Sequence, residues 1–158
     1  MRIIGIDPGT AILGFGVIEK KSSKLSMLDA GVIRTASDQS DSKRLQTIYD
    51  ELAEVIKHNK PDAMAIEKLF FAQNVTTAMT VSQARGAVML CGEKHGLEVF
   101  EYTPLQIKQS ITGYGRADKN QIQQMVKTIL KLDSVPKPDD CADALACAIT
   151  HAMTSHYA

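Results

Sequence analysis

No stretch of these 158 residues is apolar for the roughly 20 positions a membrane span requires, and no signal-type apolar run stands near Met1. Cysteine is scarce. Cys91, Cys141 and Cys147 are odd in number and lack Cys-x-x-Cys spacing, which argues against a disulfide framework and suits small-hydrophobe packing in a reducing cytosol. Net charge is missing as well: 18 Lys and Arg balance 18 Asp and Glu, which counts mildly against a nucleic-acid binder. Internal repeats, low-complexity tracts and linkers are absent. A single cytoplasmic domain over 1–158 is the expectation.

The even balance hides a local excess. Between Leu105 and Lys137 the bases are Lys108, Arg116, Lys119, Lys127, Lys131 and Lys137, against only Asp118 and Asp133. Such a strip can grip a phosphate backbone beside an acidic centre; taken alone, it reads equally well as a solvated helix face.

Hydropathy patterning predicts a mixed α/β sheet. Arg2–Asp7 is nearly continuous apolar, as in a strand covered on both faces. Ile12–Ile18 and Leu25–Thr35 follow across short turns, so three antiparallel strands open the chain. Gly14 and Gly16 leave one face of the second strand bare for a close neighbour. Leu45, Ile48, Leu52, Val55 and Ile56 then recur at helical spacing, Asp62–Glu67 is a fourth strand, and a long small-residue helix runs from Val75 to about His95. Leu97–Tyr102 supplies the fifth strand. A short helix from Pro104, a helix capped near Asp118 and an Ala-rich helix reaching about Thr154 complete the order.

Four carboxylates stand where ordinary surface acids do not. Asp7 ends Ile3-Ile4-Gly5-Ile6, Glu67 ends Ala63-Met64-Ala65-Ile66, and Asp140 and Asp143 open the last helix. At about 100° per residue, Asp140, Asp143 and Cys147 share an arc of roughly 60°, while Leu145 and Ile149 point elsewhere to anchor the helix. If the first and fourth strands are parallel neighbours, Asp7 and Glu67 open at the edge where α/β sheets bind ligands. Singly, Asp7 also fits a turn before Pro8-Gly9, and Asp140 fits a helix-start charge. Together, buried acids need cationic compensation, and a hard divalent metal supplies it. That predicts metal-dependent chemistry on phosphate esters.

Ile4-Gly5-Ile6-Asp7-Pro8-Gly9-Thr10, Ile66-Glu67, Gln83-Ala84-Arg85-Gly86 and Asp140-x-x-Asp143-Ala144-Leu145-Ala146 closely resemble the RuvC Holliday-junction resolvases of the RNase H-like superfamily. The match runs in order from Met1 to about His151. The resemblance implies an RNase H-like mixed five-stranded sheet with helices on both faces. It further implies two Mg²⁺ ions, with Mn²⁺ as a substitute, held by Asp7, Glu67, Asp140 and Asp143. Lys108 and Lys119 fall on basic positions important to catalysis, and Phe70 on an aromatic that stacks against an unpaired base. Arg116, in the same loop as Lys119, is a further phosphate contact to expect. The implied activity is paired symmetric nicking of two like strands of a four-way DNA junction. The enzyme is expected to be a homodimer that works with a branch-migration motor complex of the RuvA–RuvB type, off the membrane.

Three rival readings stand beside this one: a YqgF-like nuclease on structured RNA, a sugar-kinase or actin-type ATPase, and a non-catalytic junction binder. The ATPase fold needs two such domains where this chain has room for one. A scaffold has no use for four converging acids. Cys147 and His151 at i and i+4 lack the second pair that a zinc site requires.

Overall fold

The computed structural model describes residues 1–68 and 74–154. Strands β1 (Arg2–Asp7), β2 (Ile12–Lys21) and β3 (Lys24–Arg34) precede α1 (Asp41–Asn59). Then come β4 (Ala63–Glu67), α2 (Val75–Lys94), β5 (Glu98–Tyr102), α3 (Pro104–Thr112), α4 (Lys119–Ile129) and α5 (Asp139–Thr154). The sheet order is β3-β2-β1-β4-β5. β1, β2 and β3 pair antiparallel, whereas β4 lies parallel to both β1 and β5. This is the mixed sheet that the patterning predicts.

Local signals set most boundaries. The Thr103 and Asp118 side chains each accept from the backbone three residues on, and Gln106 and Gln121 return the bond in reciprocal capping boxes. Asn74 caps α2, and Gly113 ends α3 in the left-handed conformation. One strand boundary differs from expectation by more than a residue. β2 continues past Ile18 to Lys21 because Glu19, Lys20 and Lys21 still pair with β3, leaving only Ser22-Ser23 as the turn. At that end of the sheet Glu19 pairs with Arg2 and Lys21, and Lys20 donates to the Ala152 carbonyl, so the charges are satisfied while the backbones stay in the ladder.

Strand alternation sorts the core into two layers. Ile4, Ile6, Phe15, Met64 and Ile66 face α1 and α2, whereas Ile3, Ile18 and Ala65 face α3, α4 and α5. Helices therefore cover both faces. α5 is the central one: from Cys141 to Ala152 every residue except Asp143 is buried. It lies unusually close to the sheet, because a Cβ at Gly5 would run into the Ala144 carbonyl and one at Gly16 into Leu145. Gly14 and Gly16 are thus the bare strand face that the sequence displays, and α5 is the neighbour.

Candidate active site

Asp7 and Glu67 share the odd-numbered side-chain parity of Ile3 and Ala65, so both carboxylates emerge on the α5 face of the sheet. The β1–β4 register pairs Ile6 with Ile66, which puts the two acids side by side at the C-terminal edge. α5 brings its first turns to that edge, since a Cβ at Gly14, the partner of Asp7 across β1 and β2, would strike the Asp140 carbonyl. All four predicted carboxylates therefore meet in one place.

The electrostatics record the meeting. Burial, followed by the charges of Asp143, Glu67 and Asp140, pushes the Asp7 carboxyl up to about 8. Glu67 is raised by burial and by Asp143, with Lys108 and Lys119 pulling it back. Burial also raises Asp143, opposed by Lys119. Protons in such a set titrate as a group.

Cations stand on one side. Lys119, the first residue of α4, places Nζ 3.5 Å from Asp143 and 3.6 Å from Asp139. Lys108 of α3 and Lys119 line a cavity of about 260 Å³ with Glu67 and Asp143, over an apolar floor of Pro104, Ile107 and Ile122. A second cavity, about 240 Å³, opens beyond Glu67 toward Asp7, Pro8, Lys68, Val81 and Arg85. Of the six bases in the 105–137 strip, only Lys108 and Lys119 line the first cavity. Lys137 pairs with Asp139 at 3.1 Å, and Arg116 is exposed in the turn before α4. Phe70 lies outside the described residues.

Sequence reasoning overlooked three participants. Asp139, next to Asp140, gathers Lys119 and Lys137. Thr10 donates to the Thr80 carbonyl at 3.1 Å and ties the loop after Asp7 to α2. Arg85 donates through Nε to the Glu67 carbonyl at 3.2 Å and also pairs with Glu101. Arg85 stood in a motif without a role, and only the packing of α2 on β4 and β5 supplies one.

The donor set fits a hard cation. It is all carboxylate oxygen, and the burial and mutual repulsion that raise Asp7 are what a divalent charge offsets. Among the described residues no three acids, histidines or cysteines close into a ready-made cage. Mg²⁺ does not require one, since it keeps several waters and takes one or two carboxylates together with substrate phosphate.

The chain matches known proteins along nearly its whole length. The family model of crossover junction endodeoxyribonuclease RuvC matches residues 3–151. The crossover junction endodeoxyribonuclease RuvC of Alkaliphilus oremlandii (strain OhILAs) is 56% identical over 157 residues, covering 99% of this chain and 96% of that protein. Two structures of Thermus thermophilus RuvC superpose closely. The one in complex with Holliday junction substrate has a TM-score of 0.93 at 38% identity, covering 97% of this chain and 93% of the other. The second has a TM-score of 0.89 at 37% identity, covering 97% and 94%.

Proposed function

This chain belongs to the RuvC family of crossover junction endodeoxyribonucleases, and we propose that it resolves four-way DNA junctions by paired symmetric nicks in two strands of like polarity. It is a nuclease, a phosphodiester hydrolase acting in recombination and repair. The observation that carries the reading is the convergence of Asp7, Glu67, Asp140 and Asp143 beside Lys108 and Lys119 at one sheet edge. Divalent-metal dependence is general in this family.

Asp7, Glu67, Asp140 and Asp143 would hold two Mg²⁺ ions, for which Mn²⁺ substitutes. Bound there, the metal supplies a nucleophilic water at neutral pH and charge stabilisation for the departing 3′ oxygen. Lys119 and Lys108 hold the scissile phosphate as point charges and offset the negative charge that builds in the transition state. Lys119 remains protonated throughout, because Asp143 raises its pKa further. Arg116 grips backbone phosphate outside the pocket. Phe70 stacks on an unpaired base at the crossover, worth about 1–3 kcal/mol.

A second copy completes the enzyme. On α2, Val75, Met79 and Leu90 are exposed along one face with the small residues Ser82 and Gly86 between them. That stripe supports a two-fold homodimer, which matches a junction of approximate two-fold symmetry. Among the small residues of α2, Ala78 and Ala84 are buried in the core instead. A branch-migration motor complex of the RuvA–RuvB type is the working partner. No helix among the described residues is long and apolar enough to cross a membrane, and we place the enzyme with its DNA in the cytoplasm.

The test is a synthetic four-way junction, each strand end-labelled in turn, incubated with Mg²⁺ and the protein or its Asp7→Asn variant. Symmetric nicks in two opposite strands, lost in the variant while junction binding persists, are the expected result. Full activity of the variant overturns the site; preference for structured RNA overturns the substrate.

A further inference from the structure

Arg85 belongs to none of the groups proposed to touch DNA or metal, yet it is the cation best built into the site. Its side chain is only 13% exposed. The guanidinium bridges two neighbouring strands: Nε donates to the carbonyl of Glu67, the last residue of β4, and the terminal nitrogen pairs with Glu101 on β5. Its charge is matched by Glu101, whereas the Glu67 carboxyl feels Asp143, Lys108 and Lys119. The Glu67 carboxylate is therefore left free on the pocket side while its own peptide is gripped from behind. Five residues earlier on the same helix, the Thr80 carbonyl holds Thr10 in the loop after Asp7. One helix thus secures both acid-bearing strand ends.

We propose that Arg85 is a positioning residue for metal binding: it fixes the last peptide of β4 and so aims the Glu67 carboxylate without touching it. The proposal rests on Glu67 being a metal ligand. At the end of β4 a ladder bond from the Lys68 N–H to the Tyr102 carbonyl, 2.7 Å, holds one side of the Glu67–Lys68 peptide and leaves its carbonyl side the freedom to tilt. A planar guanidinium anchored to a second strand removes that freedom, and a lysine ammonium cannot span both partners in the same geometry. Groups that orient a ligand from behind typically change metal affinity 10- to 100-fold when lost.

The test is Mn²⁺ binding, read from the electron paramagnetic resonance signal of the free ion, on the full chain and on Arg85→Gln, Arg85→Lys, Glu101→Gln and Glu67→Gln. Arg85→Gln is expected to keep its circular dichroism spectrum and junction affinity while losing about 10-fold or more in Mn²⁺ affinity. Glu101→Gln, which retains the bond to the Glu67 carbonyl, loses less. Wild-type Mn²⁺ affinity in folded Arg85→Gln, with at most a lower melting temperature, overturns the proposal by reducing Arg85 to a structural brace. If that variant does not fold, wild-type affinity in both Arg85→Lys and Glu101→Gln overturns it instead. Wild-type affinity in Glu67→Gln overturns the metal-site reading itself, a separate outcome.

Discussion

Gly14 lies directly beneath the backbone carbonyl of Asp140, so close that a single added methyl group has no room. The contact sets how near α5 comes to β1 and β2, and hence how near its two acids come to Asp7. Gly14→Ala must therefore move the start of α5. Overpacking of this kind costs about 1–3 kcal/mol, and here the obstacle is backbone. We expect a melting temperature lower by several degrees and Mn²⁺ affinity reduced together with it. Calorimetry and metal titration on the same variant check both.

Metal-free stability should fall as pH rises. The Asp7 carboxyl titrates at about 8 in the folded chain, against an ordinary value of about 4 when unfolded. Between those values the folded state binds more protons at Asp7, so the Asp7 contribution to stability is undiminished near pH 4 and increasingly unfavourable toward pH 8. Asp7→Asn removes this penalty, which has a ceiling of about 5 kcal/mol shared with the coupled acids. Without metal at pH 8 the variant should melt at least about 5 °C above wild type, and the gap should close near pH 4. Equal melting curves at pH 8 would contradict the burial and repulsion assigned to Asp7.

Removing Lys119 should separate chemistry from binding. Its Nζ sits at the acid cluster, and its loss leaves Lys108 as the one remaining proposed lysine contact to the phosphate where charge develops. Lys119→Ala is expected to lose about 100-fold in single-turnover cleavage rate with junction affinity changed only a few-fold. A uniform loss in affinity instead would make it an ordinary backbone contact.

The α2 stripe predicts assembly. Met79 and Leu90 are 62% and 56% exposed on one helix face, so Met79→Glu and Leu90→Glu cost the isolated fold little. Both should sediment as monomers and should cut one strand of the junction rather than two. A retained dimer would place the interface elsewhere.

Much of the fold is visible before any coordinates. Asp7 and Glu67 each end an apolar run that reads as a buried strand, and Pro104 and Asp118 announce their helices, whereas the caps Asn74 and Thr103 emerge only with the structure. Glu19–Lys21 misled the strand boundary, because charge suggests a turn while ladder bonds keep the backbone extended. The basic strip was legible as composition, but only Lys108 and Lys119 turn toward the acids; which way each base faces depends on where α3 and α4 pack.

The sequence by itself determined the chemical cast: four acids at strand ends and a helix start, in a pattern that resembles one nuclease family throughout its length. Those features are local, since strand periodicity, helix capping and motif order depend on neighbours in the chain. Tertiary structure alone decided the convergence. Pairing of β1 with β4 put Asp7 beside Glu67, the glycine face of β1 and β2 let α5 deliver Asp140 and Asp143, and α2 turned Arg85 onto the Glu67 carbonyl. These contacts join residues 18 or more positions apart, and the helix and sheet packing that creates them follows from surfaces that exist only once the chain has folded.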